Sequence, residues 1–393
     1  MDIGSPAVLL IAENGDSGGI GRYCVDLAGV LGERARVVCL CPAPCRGAGG
    51  CWLAGQCATR GVHLLNVAMP VRDWRSGLSG LVDLWKRTGR PLIHVNGRRG
   101  NSVALAARLT VRGFRYVTTA HGVPLRLHSR RHAVYRLVDL AASRTARAVI
   151  AVSADTRQRI VRAGSPPART YVVPNGLAEV DMNALRGAAE RKWGEHPNGS
   201  PLRLGFLGRL SPEKGTRELL EVSQKLDASN VSTTLTIAGD GPDRDWLVAR
   251  SRKMIDSGFM TFVGVARESA RFLRDVDVLI MPSHNEGMPY VLLEGMAAGC
   301  AVVAFGVGGI PEVVSDPSLG VLVHPGDTEA LVFALQRLCD APATAASIGR
   351  TASEHIRHHY ALETRLPVVL RAYGMSVMPA SPRTGLSSTD RGE

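Results

Sequence analysis

Residues 283–294 read Ser-His-Asn-Glu-Gly-Met-Pro-Tyr-Val-Leu-Leu-Glu and carry two carboxylates, Glu286 and Glu294, eight positions apart. The stretch 276–282 before them, which is apolar except for Asp277, predicts a buried strand, and Pro289 suits the first turn of a helix. The pattern predicts a tight loop that carries Glu286, followed by a helix with Glu294 about a turn and a half inside. Free N–H groups at the start of such a helix suit a phosphate, and the carboxylates beside it suit the hydroxyls of a sugar.

The spacing of Glu286 and Glu294 is not specific by itself, because 35 acidic residues in 393 produce it easily by chance. The residues that flank the pair make the pattern specific. Residues 277–283 read Asp-Val-Leu-Ile-Met-Pro-Ser, residues 295–304 read Gly-Met-Ala-Ala-Gly-Cys-Ala-Val-Val-Ala, and residues 308–314 read Gly-Gly-Ile-Pro-Glu-Val-Val. This ordered Glu-x7-Glu string resembles the large family of retaining glycosyltransferases of GT-B fold often called family 4. Gly295 in place of Ala and Ala301 in place of Pro depart from the family pattern on its packing side, which leaves the expected chemistry unchanged.

Short apolar runs alternate with helical stretches along the chain, which predicts parallel sheets with crossover helices. Thirteen runs are predicted as strands: 8–12, 36–40, 62–67, 92–95, 116–119, 148–152 and 171–173, then 203–207, 234–238, 261–263, 278–281, 301–304 and 321–323. A chain of 393 residues also exceeds one ordinary core. We predict an α/β protein of GT-B type, with two doubly wound Rossmann-like domains facing each other across a cleft.

A polar stretch between Pro174 and Pro201 separates the two sets of strands. We predict an acceptor-side domain at residues 1–180, a linker at 181–200 and a nucleotide-sugar-binding domain at 201–355. The resemblance implies that a last helix, within 356–375, returns to the first domain. The tail 376–393 is rich in Ser, Pro, Thr and Gly and is predicted to be disordered.

Residues 208–215, Gly-Arg-Leu-Ser-Pro-Glu-Lys-Gly, follow the first strand of the second half and precede a helix. Cleavage of a sugar from a nucleoside diphosphate puts negative charge on the β-phosphate, which needs cations or N–H donors. Arg209 can meet a diphosphate as a bidentate fork, and Lys214 can meet it as a point charge. The string also matches the phosphate-binding motif of the family, which implies that Gly208, Arg209 and Lys214 hold the donor.

Gly18 and Gly19 lie between the first predicted strand and a helix, where glycine lets backbone N–H groups approach a phosphate or sugar closely. The run is a poor dinucleotide fingerprint, because Cys24 stands where a third glycine is needed. The resemblance implies that Gly18 and Gly19 form the Gly-Gly loop of the family's donor site.

Further roles follow from the resemblance alone. It implies that His121, after the predicted strand 116–119, contacts the transferred sugar by hydrogen bonding or by supporting developing charge. It implies that Glu286 holds hydroxyls of the donor sugar, that Glu294 holds the ribose or neighbouring hydroxyls, and that backbone near Val265 faces the base. The remaining expected donor-binding positions are Gly287, Met288 and Pro289.

The net charge of +12 originates in one region. Residues 98–169 contain fifteen arginines, no lysine and two acidic residues, which accounts for the whole excess. Within this region, the arginines of residues 125–147 lie among Leu, Val, Ala and Tyr, a composition that suits an anionic membrane surface. A solvated face is the alternative, whereas few aromatic residues and no helix-turn-helix or RRM signature argue against nucleic acid. The predicted membrane or acceptor surface comprises Arg126, Arg130, Arg131 and Arg136.

Other signals bound the protein class. No stretch approaches the roughly 20 apolar residues of a membrane span, and the apolar run 7–12 lacks the basic lead of a signal peptide. We therefore expect a cytoplasmic protein, peripheral at the inner face of the cell membrane. Five of eight cysteines lie from Cys39 to Cys57 without zinc spacing, so the role of this cluster stays open.

Residues 243–245 and 275–277 both read Asp-x-Asp. The same pattern is the metal-binding motif of a different glycosyltransferase fold. The first opens a predicted helix, where acidic residues interact favourably with the helix dipole, and the second precedes a strand. We interpret both as structural and expect neither a metal nor a cofactor.

The resemblance thus implies a retaining, metal-independent hexosyltransferase that moves a sugar from a nucleotide-sugar, a UDP-sugar rather than a GDP-sugar, to a lipid-linked or saccharide acceptor. Surface polysaccharide or glycolipid biosynthesis (lipopolysaccharide, capsule or exopolysaccharide) is the expected setting. The alternatives are a sugar-nucleotide epimerase of the same fold and a catalytically silent sugar-nucleotide-binding subunit. Nucleic acid is not expected as a partner.

Overall fold

The structure is a computed structural model that describes residues 6–13, 18–41, 51–68, 74–122, 130–194, 200–229, 231–266 and 268–376. Its first half forms a seven-stranded sheet in which neighbouring strands pair in parallel. The strands are β1 (Val8–Ala12), β2 (Ala35–Cys41), β3 (Leu64–Ala68), β4 (Leu92–Asn96), β5 (Tyr116–Ala120), β6 (Ala148–Ala151) and β7 (Thr170–Val172). Their order across the sheet is β3-β2-β1-β4-β5-β6-β7.

The second half forms a six-stranded parallel sheet with the order β10-β9-β8-β11-β12-β13. Its strands are β8 (Leu202–Leu207), β9 (Thr233–Ala238), β10 (Met260–Gly264), β11 (Val278–Met281), β12 (Ala301–Phe305) and β13 (Val321–Val323). All thirteen predicted strands are present, with ends that differ by two residues at most. The predicted fold class, two doubly wound parallel sheets, is confirmed.

Helices connect the strands and cover the sheets. Those of the first half are α1 (Gly19–Leu31), α2 (Trp52–Thr59), α3 (Trp74–Arg87), α4 (Arg98–Thr110), α5 (Arg130–Thr145) and α6 (Ala154–Arg162). The others are α7 (Glu179–Gly194), α8 (Thr216–Ala228), α9 (Arg244–Arg250), α10 (Arg252–Asp256), α11 (Ser269–Arg274), α12 (Tyr290–Ala297), α13 (Ile310–Val313), α14 (Thr328–Asp340), α15 (Pro342–His359) and α16 (Leu366–Tyr373). Every residue of β1, β6, β11 and β12 is buried, as expected for parallel strands with helices on both faces.

Two helices link the halves. Helix α7 occupies most of the stretch predicted as a linker, and its Met182 and Leu185 share a core with Leu273 and Leu292 of the second half. Helix α16 comes from the end of the chain but packs on the first half, where Leu370 and other residues join the core around β1 and β6. The predicted disordered tail lies outside the described residues, which end at 376.

Two sequence expectations concern features outside the sheets. Among the described helices, none has the length and apolar character that crossing a bilayer requires. Of the cysteine cluster, Cys39 and Cys57 lie in the core of the first domain, and Cys45 lies outside the described residues. Burial raises the pKa of the Cys57 thiol to about 12, so this thiol is protonated at neutral pH.

The strand orders locate the crevices where ligands bind in folds of this kind. In the first sheet, consecutive strands run outward in opposite directions from β1 and β4, and in the second sheet they do so from β8 and β11. Loops on either side of such a switch point separate and leave a crevice beyond the carboxyl ends of the strands. The segments after β1, β4, β8 and β11 are therefore where a site is expected.

Candidate functional site

Lys214 and Glu286 bring the two predicted motifs of the second domain together. Lys214 ends a 3₁₀ turn (Pro212–Lys214) after β8, and Glu286 lies in the loop after β11. The Lys214 Nζ donates to Glu286 Oε1 over 2.6 Å. The Glu286 side chain is only 7% exposed, whereas that of Lys214 keeps 29% of its surface. A cation and a carboxylate that are distant in sequence thus meet at the switch point of the sheet.

Gly215 allows this approach. It has a φ of 73°, in the left-handed region that favours glycine. A Cβ at this position would lie 1.9 Å from the carbonyl oxygen of Pro282, at the end of β11. A side chain here would therefore push the Lys214 turn away from the Glu286 loop.

The loop that carries Glu286 touches the first domain at Gly287. A Cβ on Gly287 would lie 2.0 Å from the carbonyl oxygen of His121 and 2.9 Å from Cγ2 of Val152, both in the first domain. On the other side, the N–H of Gly309 donates to the Gly287 carbonyl over 2.9 Å. The backbone that follows Glu286 is therefore held between the end of β5 and the loop after β12.

Two more hydrogen-bonded contacts join the domains near this loop. The Glu312 carboxylate accepts from the N–H groups of Ala154 and Asp155 over 3.0 Å each, and so caps the start of α6 from the opposite domain. The Asn175 side chain donates from Nδ2 to the carbonyl of Met288 over 2.6 Å. The predicted donor-site position Met288 is thus buried and fixed by the segment that leaves the first domain.

His121 lies at the carboxyl end of β5, as predicted. Its Nε2 lies 3.0 Å from Oδ1 of Asn96, and its ring packs edge-on against Tyr23 with centroids 5.0 Å apart. Burial lowers the pKa of His121 to about 4, so the ring is neutral at pH 7. The structure brings His121 to Gly287 through its backbone carbonyl, next to the pair formed by Lys214 and Glu286.

Glu294 lies on the first turns of α12, also as predicted, but its side chain is 8% exposed and engaged with protein groups. Its Oε1 accepts from the Ser269 hydroxyl over 2.7 Å and from Arg22 Nη1 over 3.1 Å. Burial raises the pKa of the Glu294 carboxyl, while Arg22 and Ser269 act in the opposite direction. Ser269 begins α11, close to the loop that contains Val265.

Arg22 and Arg60 bind three carboxylates at this interface, and sequence reasoning missed both arginines. Arg22 Nε donates to Asp26 over 2.8 Å, and Arg22 Nη2 donates to Asp181 over 2.7 Å. Arg60 Nη2 donates to both carboxylate oxygens of Asp181 over 2.9 Å, and its Nε lies 3.3 Å from Asp26 Oδ1. Burial raises the pKa of Asp26 to about 6 in spite of the two arginines.

We call this group, which consists of Arg22, Asp26, Arg60, Asp181 and Glu294, the interdomain ion network. One local signal for it exists in the sequence, since Arg22 and Asp26 are four positions apart on the helix that follows the glycine pair. The partners on α7 and α12 have no such signal.

The predicted glycine loop faces the helix of the Glu-x7-Glu pattern. Gly18 caps α1 and Gly19 begins it, while Pro289 caps α12. A Cβ on Gly19 would lie 3.7 Å from the ring of Tyr290, and the Arg22 guanidinium lies 5.6 Å from the centroid of that ring. The N-terminal ends of α1 and α12 therefore lie on opposite sides of the interdomain cleft, where both can present N–H groups to an anion.

The other residues predicted to bind the donor are more exposed to solvent than Glu286 and Glu294. Arg209 is exposed and forms no ion pair with another described residue, so the structure does not bring it to Glu286 as it brings Lys214. The N–H of Gly208 donates to Ala238 over 3.0 Å, and Val265 is 52% exposed after β10. These residues follow β8 and β10 at the same edge of the second sheet.

The predicted membrane or acceptor surface is described in part. Arg126 lies outside the described residues, Arg130 and Arg131 begin α5, and Arg136 is exposed on that helix. Val134 and Leu137 on the same helix are 58% and 67% exposed. Helix α5 thus presents both basic and apolar side chains to solvent.

The structure describes no group of three or more His, Cys, Asp or Glu residues that could hold a metal ion, within the residue ranges given above. In the run 275–277, Asp277 is fully buried and binds Arg203, with oxygens 3.0 Å from Nε and 2.8 Å from Nη2. In the run 243–245, Asp243 accepts from the Thr216 hydroxyl. The Asp277 and Asp243 side chains are therefore both engaged by other side chains of the protein.

Comparison with known proteins matches both halves of the chain to described families. Residues 201–341 match the family described as Glycosyl transferases group 1, and residues 17–179 match Glycosyltransferase Family 4. Over 349 residues the chain is 28% identical to a 2-deoxystreptamine N-acetyl-D-glucosaminyltransferase of Streptomyces fradiae, a match that covers 80% of this chain and 78% of the relative.

A second relative is the glycogen synthase of Mycobacterium tuberculosis, 32% identical over 203 residues. That match covers 50% of this chain and 49% of the relative, so the chain spans about half the length of this protein. Among solved structures, Anabaena HepE in complex with UDP superposes with a TM-score of 0.76 at 20% identity, covering 93% of this chain and 99% of the other. The structural likeness supports the fold.

Proposed function

Because the chain belongs to the family 4, group 1 glycosyltransferases, we propose that it is a retaining, metal-independent hexosyltransferase that uses a nucleotide-sugar donor. The acceptor is a lipid-linked molecule or a saccharide, and the setting is the synthesis of a surface polysaccharide or glycolipid such as lipopolysaccharide, capsule or exopolysaccharide. UDP-sugars are the preferred donors, a choice supported by the UDP complex of HepE.

The ion pair between Lys214 and Glu286 carries this proposal. It joins a cation suited to a departing diphosphate with a carboxylate suited to sugar hydroxyls, and it lies where a nucleotide-sugar would cross the switch point. When the donor binds, its diphosphate competes with Glu286 for Lys214, and the carboxylate becomes available to the sugar. The exposed guanidinium of Arg209 supplies the second positive charge.

The chemistry proposed is a displacement on the leaving-group side of the sugar. The bond between the anomeric carbon and the β-phosphate oxygen breaks, and the bond to the acceptor oxygen forms on the same face, which retains the configuration. The departing phosphate accepts the proton of the acceptor hydroxyl, so no separate protein base is needed. Lys214 and Arg209 stabilise the negative charge that develops on the phosphate.

The first domain supplies the acceptor side of the cleft. We assign Gly18 and Gly19 to backbone contacts with the donor phosphates and His121 to the transferred sugar, since both face the Glu-x7-Glu segment. Glu294 is assigned to the ribose, which it would contact through Oε2, because Ser269 and Arg22 both bind Oε1.

The basic surface of α5 supports the proposal that the enzyme binds the inner face of the cell membrane. Arg136 can bind anionic headgroups while the neighbouring Val134 and Leu137 enter the interface between headgroups and acyl chains. Sedimentation with anionic and with neutral liposomes tests this part separately. Wild-type protein should sediment with the anionic vesicles and the Arg136→Glu, Leu137→Ser variant should not, whereas equal sedimentation of both proteins would count against the membrane role.

Thermal unfolding in the presence of UDP, GDP and ADP tests the donor class first. A ligand at 100 times its Kd stabilises a protein by about 2.7 kcal/mol, which raises Tm visibly. We expect UDP to raise Tm in the wild type and to raise it less in Arg209→Ala. The same assay with UDP-sugars then identifies the sugar. If none of the three nucleotides changes Tm, the nucleotide-sugar proposal is wrong.

A further inference from the structure

Asn96 contacts His121 from within the core of the first domain. It ends β4 and is fully buried. Its Nδ2 lies 3.4 Å from the carbonyl oxygen of Ile11 and 3.3 Å from Sγ of Cys24, while its Oδ1 lies 3.0 Å from Nε2 of His121. A backbone carbonyl only accepts hydrogen bonds, so Ile11 must face the NH₂ end of the amide. The oxygen of Asn96 is therefore the end that faces His121.

The orientation of Asn96 determines the tautomer of His121. An amide oxygen only accepts, so Nε2 of His121 must carry the proton that is shared in this hydrogen bond. The neutral ring has one such proton, which leaves Nδ1 as an acceptor. Nδ1 has no hydrogen-bond partner among the described residues, and His121 as a whole residue is half-buried.

We propose that Asn96 is a positioning residue for sugar transfer, which holds His121 in the Nε2-protonated tautomer so that Nδ1 accepts a hydrogen bond from a hydroxyl of the transferred sugar. This inference rests on the proposed function. It also defines what His121 recognises. Nδ1 presents a lone pair, so it accepts a hydrogen bond from a neutral hydroxyl and repels an anionic group. Asn96 acts through His121 and does not touch the substrate itself.

The groups around His121 add no charge that would protonate its ring, so the ring stays neutral and Asn96 determines only the tautomer. His94 on β4 has its pKa lowered to about 3 by burial, and burial raises the pKa of Tyr23 on α1, so both are neutral across roughly pH 5 to 9. From the facing domain, Gly287 contributes backbone, and the adjacent Glu286 is paired with Lys214. No charge among these groups favours a second proton on His121.

Nuclear magnetic resonance of histidine ring nitrogens tests the tautomer directly and needs no enzymatic activity. In ¹⁵N-histidine-labelled protein at pH 7, with the His121 signals assigned from a His121→Gln variant, we expect Nε2 protonated and Nδ1 unprotonated. Asn96→Leu should give a mixture of the two neutral tautomers. A wild-type ring protonated on Nδ1, or an Asn96→Leu variant with the wild-type tautomer, would overturn the proposal.

Asn101 offers a matched control and Asn96→Asp a second variant. Asn101 is another buried asparagine of the first domain, but it binds Asp139 and Thr118, so Asn101→Leu should leave the His121 tautomer unchanged. In Asn96→Asp, the carboxylate still accepts from Nε2 and keeps the tautomer, but it raises the pKa of His121. This variant remains informative if Asn96→Leu does not fold, because an unchanged His121 pKa would also count against the proposal.

Transfer rates then connect the tautomer to catalysis. With the donor found by the thermal assay, we expect Asn96→Leu to lower kcat/KM at least tenfold more than Asn101→Leu does. The acid limb of the rate profile should move to higher pH in Asn96→Asp, since His121⁺ has no acceptor nitrogen. If the wild type transfers no sugar while the tautomer result holds, the proposed function fails and the Asn96 assignment stands as a structural one.

Discussion

Arg22 of the first domain donates to Glu294 of the second over 3.1 Å, between residues 272 positions apart in sequence. The same guanidinium binds Asp26 on its own helix and Asp181 on the helix that connects the domains. One side chain therefore joins three segments, and one of its partners is the carboxylate that we assign to the donor ribose. Domain association and the position of Glu294 are coupled through Arg22.

Replacement of Arg22 by methionine should destabilise the protein by about 3 kcal/mol. The substitution leaves Glu294 and Asp26 buried with fewer cationic partners, and loss of one member of a buried ion pair is costly. Urea unfolding measures the effect. Arg34→Met, at an exposed position of the same domain, is the control and should change stability by less than about 0.5 kcal/mol. Equal midpoints for the two variants would mean that the interdomain ion network adds no net stability.

Replacement of Lys214 by methionine should lower kcat/KM about 100-fold or more. It removes the positive charge proposed to stabilise the departing phosphate, and comparable losses follow removal of one stabilising donor at other active sites. Steady-state kinetics with the identified donor provide the measurement. Lys225 also binds glutamates, Glu221 and Glu329, but lies on α8, so Lys225→Met should keep nearly full activity. A fully active Lys214→Met enzyme is incompatible with the proposed mechanism.

Asp26 should make stability depend on pH. Its pKa rises from 3.8 to about 6 on folding, so the folded state binds the proton more tightly than the unfolded state. The contribution of Asp26 to stability is fully present below about pH 4 and is lost as the pH rises through about 6. Relative to wild type, Asp26→Asn should therefore gain stability between pH 4 and pH 7, on the order of 3 kcal/mol.

Tm measured in steps from pH 4 to pH 7 checks this expectation. Asp83→Asn, at an exposed position of α3, should follow the wild-type curve throughout. The prediction for Asp26 is wrong if the wild-type and Asp26→Asn curves remain parallel over this range.

Gly287→Ala should separate the domains. The added methyl group would lie 2.0 Å from the His121 carbonyl, so the Glu286 loop must move away from the first domain. A displacement of about 1 Å in an active site can cost about 100-fold in rate, and we expect a loss of that size in kcat/KM. Small-angle scattering should detect a larger radius of gyration.

A glycine with open space around it is the matched control for this variant. Gly55 lies in α2 with no atom within 4 Å of an added Cβ, so Gly55→Ala should be active and slightly more stable. Wild-type activity in Gly287→Ala would show that close contact between His121 and Gly287 is not needed for turnover.

Much of the fold was predictable because its signals are local. Parallel strands such as β11 are short runs of wholly buried residues bounded by turn residues, and this pattern is visible in any single stretch of sequence. The Glu286 loop and the cap of α12 at Pro289 were predictable for the same reason. The predicted ends of strands differ by one or two residues, because hydrogen bonding between strands, and not composition, determines where a strand ends.

The candidate site was predictable only in part. Lys214 and Glu286 were identified separately from their motifs, but their contact depends on the packing of two loops 72 positions apart. Asn96 had no signal, because its importance comes from its hydrogen bond to His121, and a strand-end asparagine has no distinctive local pattern.

The sequence by itself determined the alternation of strands and helices, the two sheets and the positions of the chemical groups along the chain. It did so because burial of apolar runs and the conformational preferences of glycine and proline act over a few neighbouring residues. Only the tertiary structure decided that Arg22 binds Glu294, that Gly287 meets the His121 carbonyl, and that Asn96 Oδ1 lies within hydrogen-bond distance of His121 Nε2. These contacts depend on the relative placement of whole domains and strands, which side-chain packing across long sequence separations determines.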